Sequence, residues 1–244
     1  MTNTSTESGA APRAGLLSRF IGIITSPGTT FRSVVDHPAW FGMLALTVLV
    51  TVVLAAGPLF SEWGQQAALD QQVRMMESFG RTIDDAAYAQ MQLGMKFAAY
   101  TTAIGLLVFS PIMALITSGI LYVIFSVAMG GNATFKQQMA VTVHAGVIPT
   151  LALIFATPLN YVRGSLTSTT NFAVFFPMLD EDSFLARVLG VIDLFWIWYI
   201  VVFAIGLGVL YKRRTGPIAI GLLVFYALIA VCIALVRGML GGTN

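Results

Sequence analysis

The chain has 244 residues, 57% of them hydrophobic and only 10% charged, with a mean hydropathy of +0.83. A soluble domain needs ~25% charged residues to cover its surface, so 13 basic and 11 acidic side chains exclude a cytosolic enzyme or a nucleic-acid-binding module and leave a polytopic membrane protein. A single cysteine, Cys232, excludes a disulfide framework and a Cys-based zinc site, and two histidines, His37 and His144, leave little for a metal centre.

In chain order, residues 1–12 form a polar N-terminus expected to be disordered. No apolar signal region stands there, so insertion is expected through the chain's own spans. Residues 13–40 read as an interfacial amphipathic segment. Leu16, Leu17, Phe20, Ile21 and Ile24 recur at helical spacing, with Arg13 and Arg19 on the flank. Ser26 and Pro27 stop that run and start another, since Ser suits an N-cap and Pro the first helical position. The second run places Phe31, Val34 and Val35 on one face and ends at His37-Pro38. Such helices lie in the membrane interface, apolar face inward; packing against the bundle is the alternative. Trp40 sits where aromatic belts sit.

Five stretches reach the roughly 20 apolar residues that cross a ~30 Å hydrocarbon core. They cover 41–60, 97–129, 139–160, 188–211 and 218–236. The expectation is an all-α membrane domain over 41–236, a helical bundle of five transmembrane helices. The insert 61–96 is the largest water-exposed piece. Thr82 and Asp85 resemble a capping box, from which a helix is expected to run unbroken into the second span. That span is overlong and carries Ser110-Pro111, which predicts a kink or, alternatively, two re-entrant halves. Pro149 and Pro158 should loosen the third span, leaving carbonyls for Thr142, His144 or Thr150 to satisfy. In loop 161–187, the run Asp180-Glu181-Asp182 reads as a helix N-terminus before Ser183; a cation site is the alternative.

Lys212-Arg213-Arg214 is a short basic turn that resists translocation. With Arg19, Arg32 and Lys136 it favours a cytoplasmic N-terminus and an outside C-terminus, most acids then lying outside.

Three motifs carry a resemblance. They are Ile24–Trp40 with its Ser-Pro turn and Thr30-Phe31 pair, Gly130-Gly131-Asn132-Ala133-Thr134-Phe135 followed by His144-Ala-Gly-Val-Ile-Pro149, and Asp193-Leu-Phe195-Trp196-Ile-Trp198. In this order, with five spans, they resemble the YIP-domain family of Ypt/Rab-interacting membrane proteins and their bacterial relatives. The resemblance implies a helical bundle with a cytoplasmic N-terminus and, in eukaryotic members, trafficking roles through small GTPases and partner membrane proteins. The short N-terminus here lacks the soluble arm of those members, and small-GTPase binding is not carried over. Likeness to bacterial members implies a multi-pass protein of the cytoplasmic membrane.

A polar group inside a span is a functional candidate by default. Asp193 is read as lying in the fourth span, ~8 Å from its outer end, where Arg163 or Arg237 could pair with it and Asn160 ends the third span nearby. That pair is a helix-locking clamp or, alternatively, a proton or ion relay. His144, ~9 Å into the third span from the other side, is too distant to pair with Asp193 and reads as a satisfied interior group. Trp198 and the interfacial set Ser26, Pro27, Phe31, Pro38 and Trp40 complete the candidate sites. Neither catalytic motif nor phosphate-binding loop occurs. Gly105, Ser118, Gly119, Gly206, Gly208, Gly221, Ala227 and Ala230 permit close helix approach, within the bundle or between protomers. The sequence therefore points to a non-enzymatic scaffold or membrane-organising protein without cofactor. Its expected partners are the lipid bilayer and other membrane proteins or a second copy. A small transporter or channel subunit using Asp193 and His144 is the alternative, and a lipid-modifying enzyme a weaker third.

Overall fold

The computed structural model of the protein describes residues 15–166, 168–180 and 183–240; Arg13, Glu181 and Asp182 lie outside the described residues. Two short helices, α1 (Leu16–Thr25) and α2 (Pro27–Asp36), lead to α3 (Phe41–Ala56). After a short 3₁₀ turn come α4 (Glu62–Glu77) and α5 (Asp85–Met95), and then α6 (Ala98–Tyr122), which a π-helical segment extends from Val123 to Ala128. The third span is made of α7 (Phe135–Ala145) and α8 (Val147–Arg163). The chain closes with α9 (Phe184–Val191), α10 (Leu194–Tyr211) and α11 (Thr215–Leu240). Among the described residues five apolar helical stretches are long enough to cross a membrane: Phe41–Phe60, Ala98–Ala128, Phe135–Arg163, Leu194–Tyr211 and Thr215–Leu240. The fold is an all-α polytopic bundle.

The core is uneven. Of an 18-residue apolar stretch in each span, 56% is buried in the third and 50% in the fourth, against 6% in the second and 11% in the fifth. Helix α10 packs on α2, α7, α8 and α11, while α3 and α7 both pack on α6. Tight contact at α10 needs glycine. A Cβ on Gly206 would stand 2.7 Å from Val141 Cγ1 and 3.0 Å from the Phe31 ring.

Helix α2 is therefore packed into the bundle. Phe31 and Val34 are fully buried, and Gln137 Nε2 donates to the Val35 carbonyl at 3.1 Å. Helix α1 differs from the expected flank arrangement. Arg19 shares a face with the buried Ile23, four residues on, and is only 6% exposed, while Leu16, Leu17 and Ile21 remain exposed. Ser26 occupies the N-cap position of α2 and Pro27 its first turn, but the Ser26 side chain makes no capping bond. Its carbonyl instead accepts from the backbone N–H and the hydroxyl of Thr30.

Other boundaries depart from expectation for local reasons. The cap of α5 is Asp84, whose carboxylate accepts from Ala87 N at 2.8 Å, not Thr82. The helix does not run on into the second span, because a tight turn at Lys96-Phe97, closed by Phe97 N donating to the Gly94 carbonyl, separates α5 from α6. Proline 111 lies inside α6, which passes through it as one helix rather than two re-entrant halves. The third span breaks at Gly146, where Pro149 has no N–H to offer the carbonyl four residues back. The fourth span starts at Leu194 rather than at 188, because Ile192 and Asp193 are extended and cut α9 off from it.

One end of the bundle carries α1, α2 and the turns at 129–134 and 212–214, where Arg213 reaches the Met129 carbonyl. The opposite end carries α4, α5, the end of α8 and the 168–180 loop, with Trp63 of α4 meeting Tyr161 of α8 at 5.1 Å between ring centroids.

Candidate functional site

At that opposite end, Asp193 is the junction between a loop and a span. Its extended backbone makes it the N-cap of α10, with Oδ1 accepting from Phe195 N at 2.8 Å and Trp196 N at 3.4 Å. Oδ2 accepts from the Ser168 hydroxyl at 3.1 Å and from the Thr170 hydroxyl. An antiparallel bridge fixes the same loop. Phe172 N donates to the Ile192 carbonyl at 2.8 Å, and Leu194 N to the Thr170 carbonyl at 3.1 Å. Tyr226 on α11 closes the cluster, accepting from Asp193 N and donating to the Val191 carbonyl. Asp193 is thus not a charge stranded inside a span. A carboxylate at the first turn satisfies orphan N–H groups and suits the positive end of the helix dipole.

The arginines proposed as its partners go elsewhere. Arg237 lies over the Phe79 ring at 5.5 Å, with its Nε buried and unpartnered. Arg163 ends α8 exposed, beside the loop that contains Ser168. Asn160 keeps its side-chain oxygen buried without a partner while its carbonyl accepts from Ser165 N. Trp198 packs part-buried against the core beside Phe195.

A second polar group crosses the bundle nearer the other end. Ser126 donates to the Tyr211 hydroxyl at 3.2 Å, which donates to Gln138 Oε1 at 3.0 Å. Gln138 Nε2 donates to the Thr142 hydroxyl, which returns its proton to the Gln138 carbonyl. The chain links the π-helical end of α6, α10 and α7. Tyr211 also stacks on Phe125 at 4.9 Å. Gln138 and Tyr211 were missed because they fall at span ends, where polar residues are ordinary. Removing the hydroxyl with Tyr211→Phe leaves Gln138 short of a donor and is expected to cost about 1 kcal/mol, measured by denaturant unfolding in detergent. An unchanged midpoint would show that the network carries no stability.

His144 is fully buried on α7. Its Nδ1 lies 2.7 Å from the Ala140 carbonyl; a carbonyl only accepts, so Nδ1 carries the proton. Nε2 is left buried and unpartnered. The hydroxyls of Thr142 and Thr150 likewise turn onto carbonyls one turn back, Thr150 onto that of Gly146 at the break. Beside the break is a cavity of about 480 Å³ among α3, α6, α7, α8 and α10. Thr47, Thr51, Ser110, Thr117, Thr142, Thr150, Trp196 and Tyr199 supply its polar groups, with no carboxylate, imidazole or cationic side chain. Among the described residues no cluster of three or more His, Cys, Asp or Glu side chains is placed to hold a metal ion.

The small residues divide cleanly. Gly206, Ser118 and Ala230 face neighbours inside the bundle. Gly105, Gly119 and Gly221 have open space where a Cβ would stand. On α6, Gly105, Phe109, Ile112, Ile116 and Gly119 follow alternating steps of four and three, which puts them on one face, and its three large side chains are exposed.

Comparison with known proteins reaches almost end to end. A family model described as the Yip1 domain matches residues 21–236. The chain is similar to "Membrane protein YknW" of Bacillus subtilis (strain 168), 26% identical over 249 residues, which takes in 97% of this chain and 99% of that relative. No solved structure matches.

Proposed function

We propose that this chain, which belongs to the Yip1 domain family, is a non-enzymatic scaffold of the membrane that binds helices of other membrane proteins. The observation that carries the proposal is the outward seam of the second span, Gly105–Phe109–Ile112–Ile116–Gly119, on a helix whose 18-residue apolar stretch is only 6% buried. Glycines at both ends of an apolar seam let a partner's backbone approach closely, and packing of that kind drives association where lipid removes the hydrophobic difference. The polar groups support the same reading. Asp193 is occupied in capping α10 and tying down a loop, and the cavity at the Gly146 break is lined by Ser, Thr and Tyr hydroxyls without a carboxylate, imidazole or cationic side chain of the kind that relays protons. In the orientation that the basic turn at 212–214 favours, the N-terminus is cytoplasmic, the C-terminus outside, and the Asp193 junction on the outer side.

Gly119→Ile tests this directly. Nothing lies within 4 Å of the added Cβ, so the protein should keep its unfolding midpoint. Its recovery of co-purifying membrane proteins from native membranes should fall about tenfold, the equivalent of ~1.4 kcal/mol. Equal recovery by the variant and the unsubstituted chain would remove the seam as the binding face.

A further inference from the structure

At the end of the bundle that carries α1 and α2, a pocket of about 510 Å³ opens between α1, the segment from Asp36 to Gly42 and the start of α7. Arg19, Lys136, His37 and Asp36 line it together with Trp40 and Phe41. Arg19 is the unusual member. It is only 6% exposed, its Nε is sealed from solvent without a partner, and its guanidinium makes no hydrogen bond or ion pair with another described residue. Asp36 lines the same pocket without pairing with it. Burying a charge is costly unless it is paired and hydrogen-bonded, and a guanidinium's planar fork of donors matches phosphate oxygens. The pocket thus holds a buried guanidinium with which no carboxylate of the described residues pairs.

We propose that this pocket binds the phosphodiester headgroup of an anionic phospholipid, with Arg19 as the buried anchor and Lys136 at the mouth. The surroundings select a lipid over a free ion. The pocket lies where α3 and α7 begin, at the end of two spans. Beside it Phe41 is 71% exposed, and α1 turns Leu17 and Ile21 outward, an apolar surround on which acyl chains can rest. The charges match as well. Arg19 and Lys136 against Asp36 leave one net positive charge, which suits a singly charged phosphodiester better than the more highly charged inorganic phosphate. Trp40 supplies the amphipathic ring typical of headgroup level.

The full-length protein in a mild non-ionic detergent tests the assignment by native mass spectrometry and thermal shift. The probes are phosphatidylglycerol, phosphatidylcholine and inorganic phosphate, each added alone. Phosphatidylglycerol should be retained and raise the melting temperature, while phosphatidylcholine and inorganic phosphate should do so far less. Arg19→Gln should weaken phosphatidylglycerol retention about tenfold, as expected for loss of a charge-assisted contact. Lys136→Gln, at an exposed position, should weaken it about threefold and Asp36→Asn should strengthen it. These two exposed substitutions read the site even if Arg19→Gln fails to fold. Stabilisation by inorganic phosphate equal to that by phosphatidylglycerol would overturn the lipid assignment in favour of a free-anion site. Retention of phosphatidylglycerol indifferent to Lys136→Gln and Asp36→Asn, or to a folded Arg19→Gln, would overturn the site itself.

Discussion

Phe31→Ala is expected to destabilise the bundle by about 3 kcal/mol, the largest effect among single substitutions in the N-terminal segment. The Phe31 ring is fully buried against α10 at Gly206, whose missing side chain makes room for it. Truncation leaves a ring-sized void, and Gly206 has no side chain to collapse into it. The cavity contribution survives in a membrane protein, because lost packing is lost whether the outer solvent is water or lipid. Unfolding in a graded denaturing detergent, followed by helical circular dichroism, reads the loss. Filling the same contact from the other side should agree, Gly206→Leu being destabilising through overpacking. If Phe31→Ala leaves the midpoint unchanged, α2 is not docked in the bundle and lies instead at the membrane surface.

Asp193→Ala carries the second large effect, also about 3 kcal/mol, from loss of an N-cap and of hydrogen bonds to a charged acceptor. The substitution removes the acceptor for Phe195 N at the start of α10 and for the hydroxyls of Ser168 and Thr170. The loop from 168 to 172 should then loosen while its backbone bridge to 192–194 persists, which hydrogen exchange at Phe172 and Phe195 would report. Asp193→Asn separates charge from geometry. The amide oxygen still accepts, so about 1 kcal/mol is expected. Equal losses for Asn and Ala would mean that the charge, not the cap, holds this junction.

The five spans and the all-α architecture were legible because apolar runs of spanning length survive averaging over a window. The third motif, Asp193-x-Phe195-x-x-Trp198, was legible as a unit, but its role was not. Asp193 sits between Ile192 and Leu194 in a run that reads as one apolar span from 188. Its capping role depends on an extended backbone, and its partners Ser168 and Thr170 lie more than 20 residues away. The break between α5 and α6 gave little signal, since Lys96-Phe97 contains no proline and Gly94 stands alone. The break at Gly146 was half visible through Pro149. The burial of Arg19 was not legible, because the larger apolar cluster of α1 was read as the face turned into the membrane. The tertiary fold buries the Arg19–Ile23 face instead, leaving Leu17 and Ile21 outward, a choice that contacts with the rest of the bundle decide. Small residues were visible one by one, but which of them face outward is a property of the assembled bundle.

The scaffold reading is tested most directly by a photo-crosslinking amino acid placed at Ile112, the centre of the outward seam on α6. In native membranes it should give one or a few discrete protein adducts, and Gly119→Ile in the same chain should abolish them. Crosslinks to lipid alone, or protein adducts that persist undiminished with Gly119→Ile, would contradict the reading.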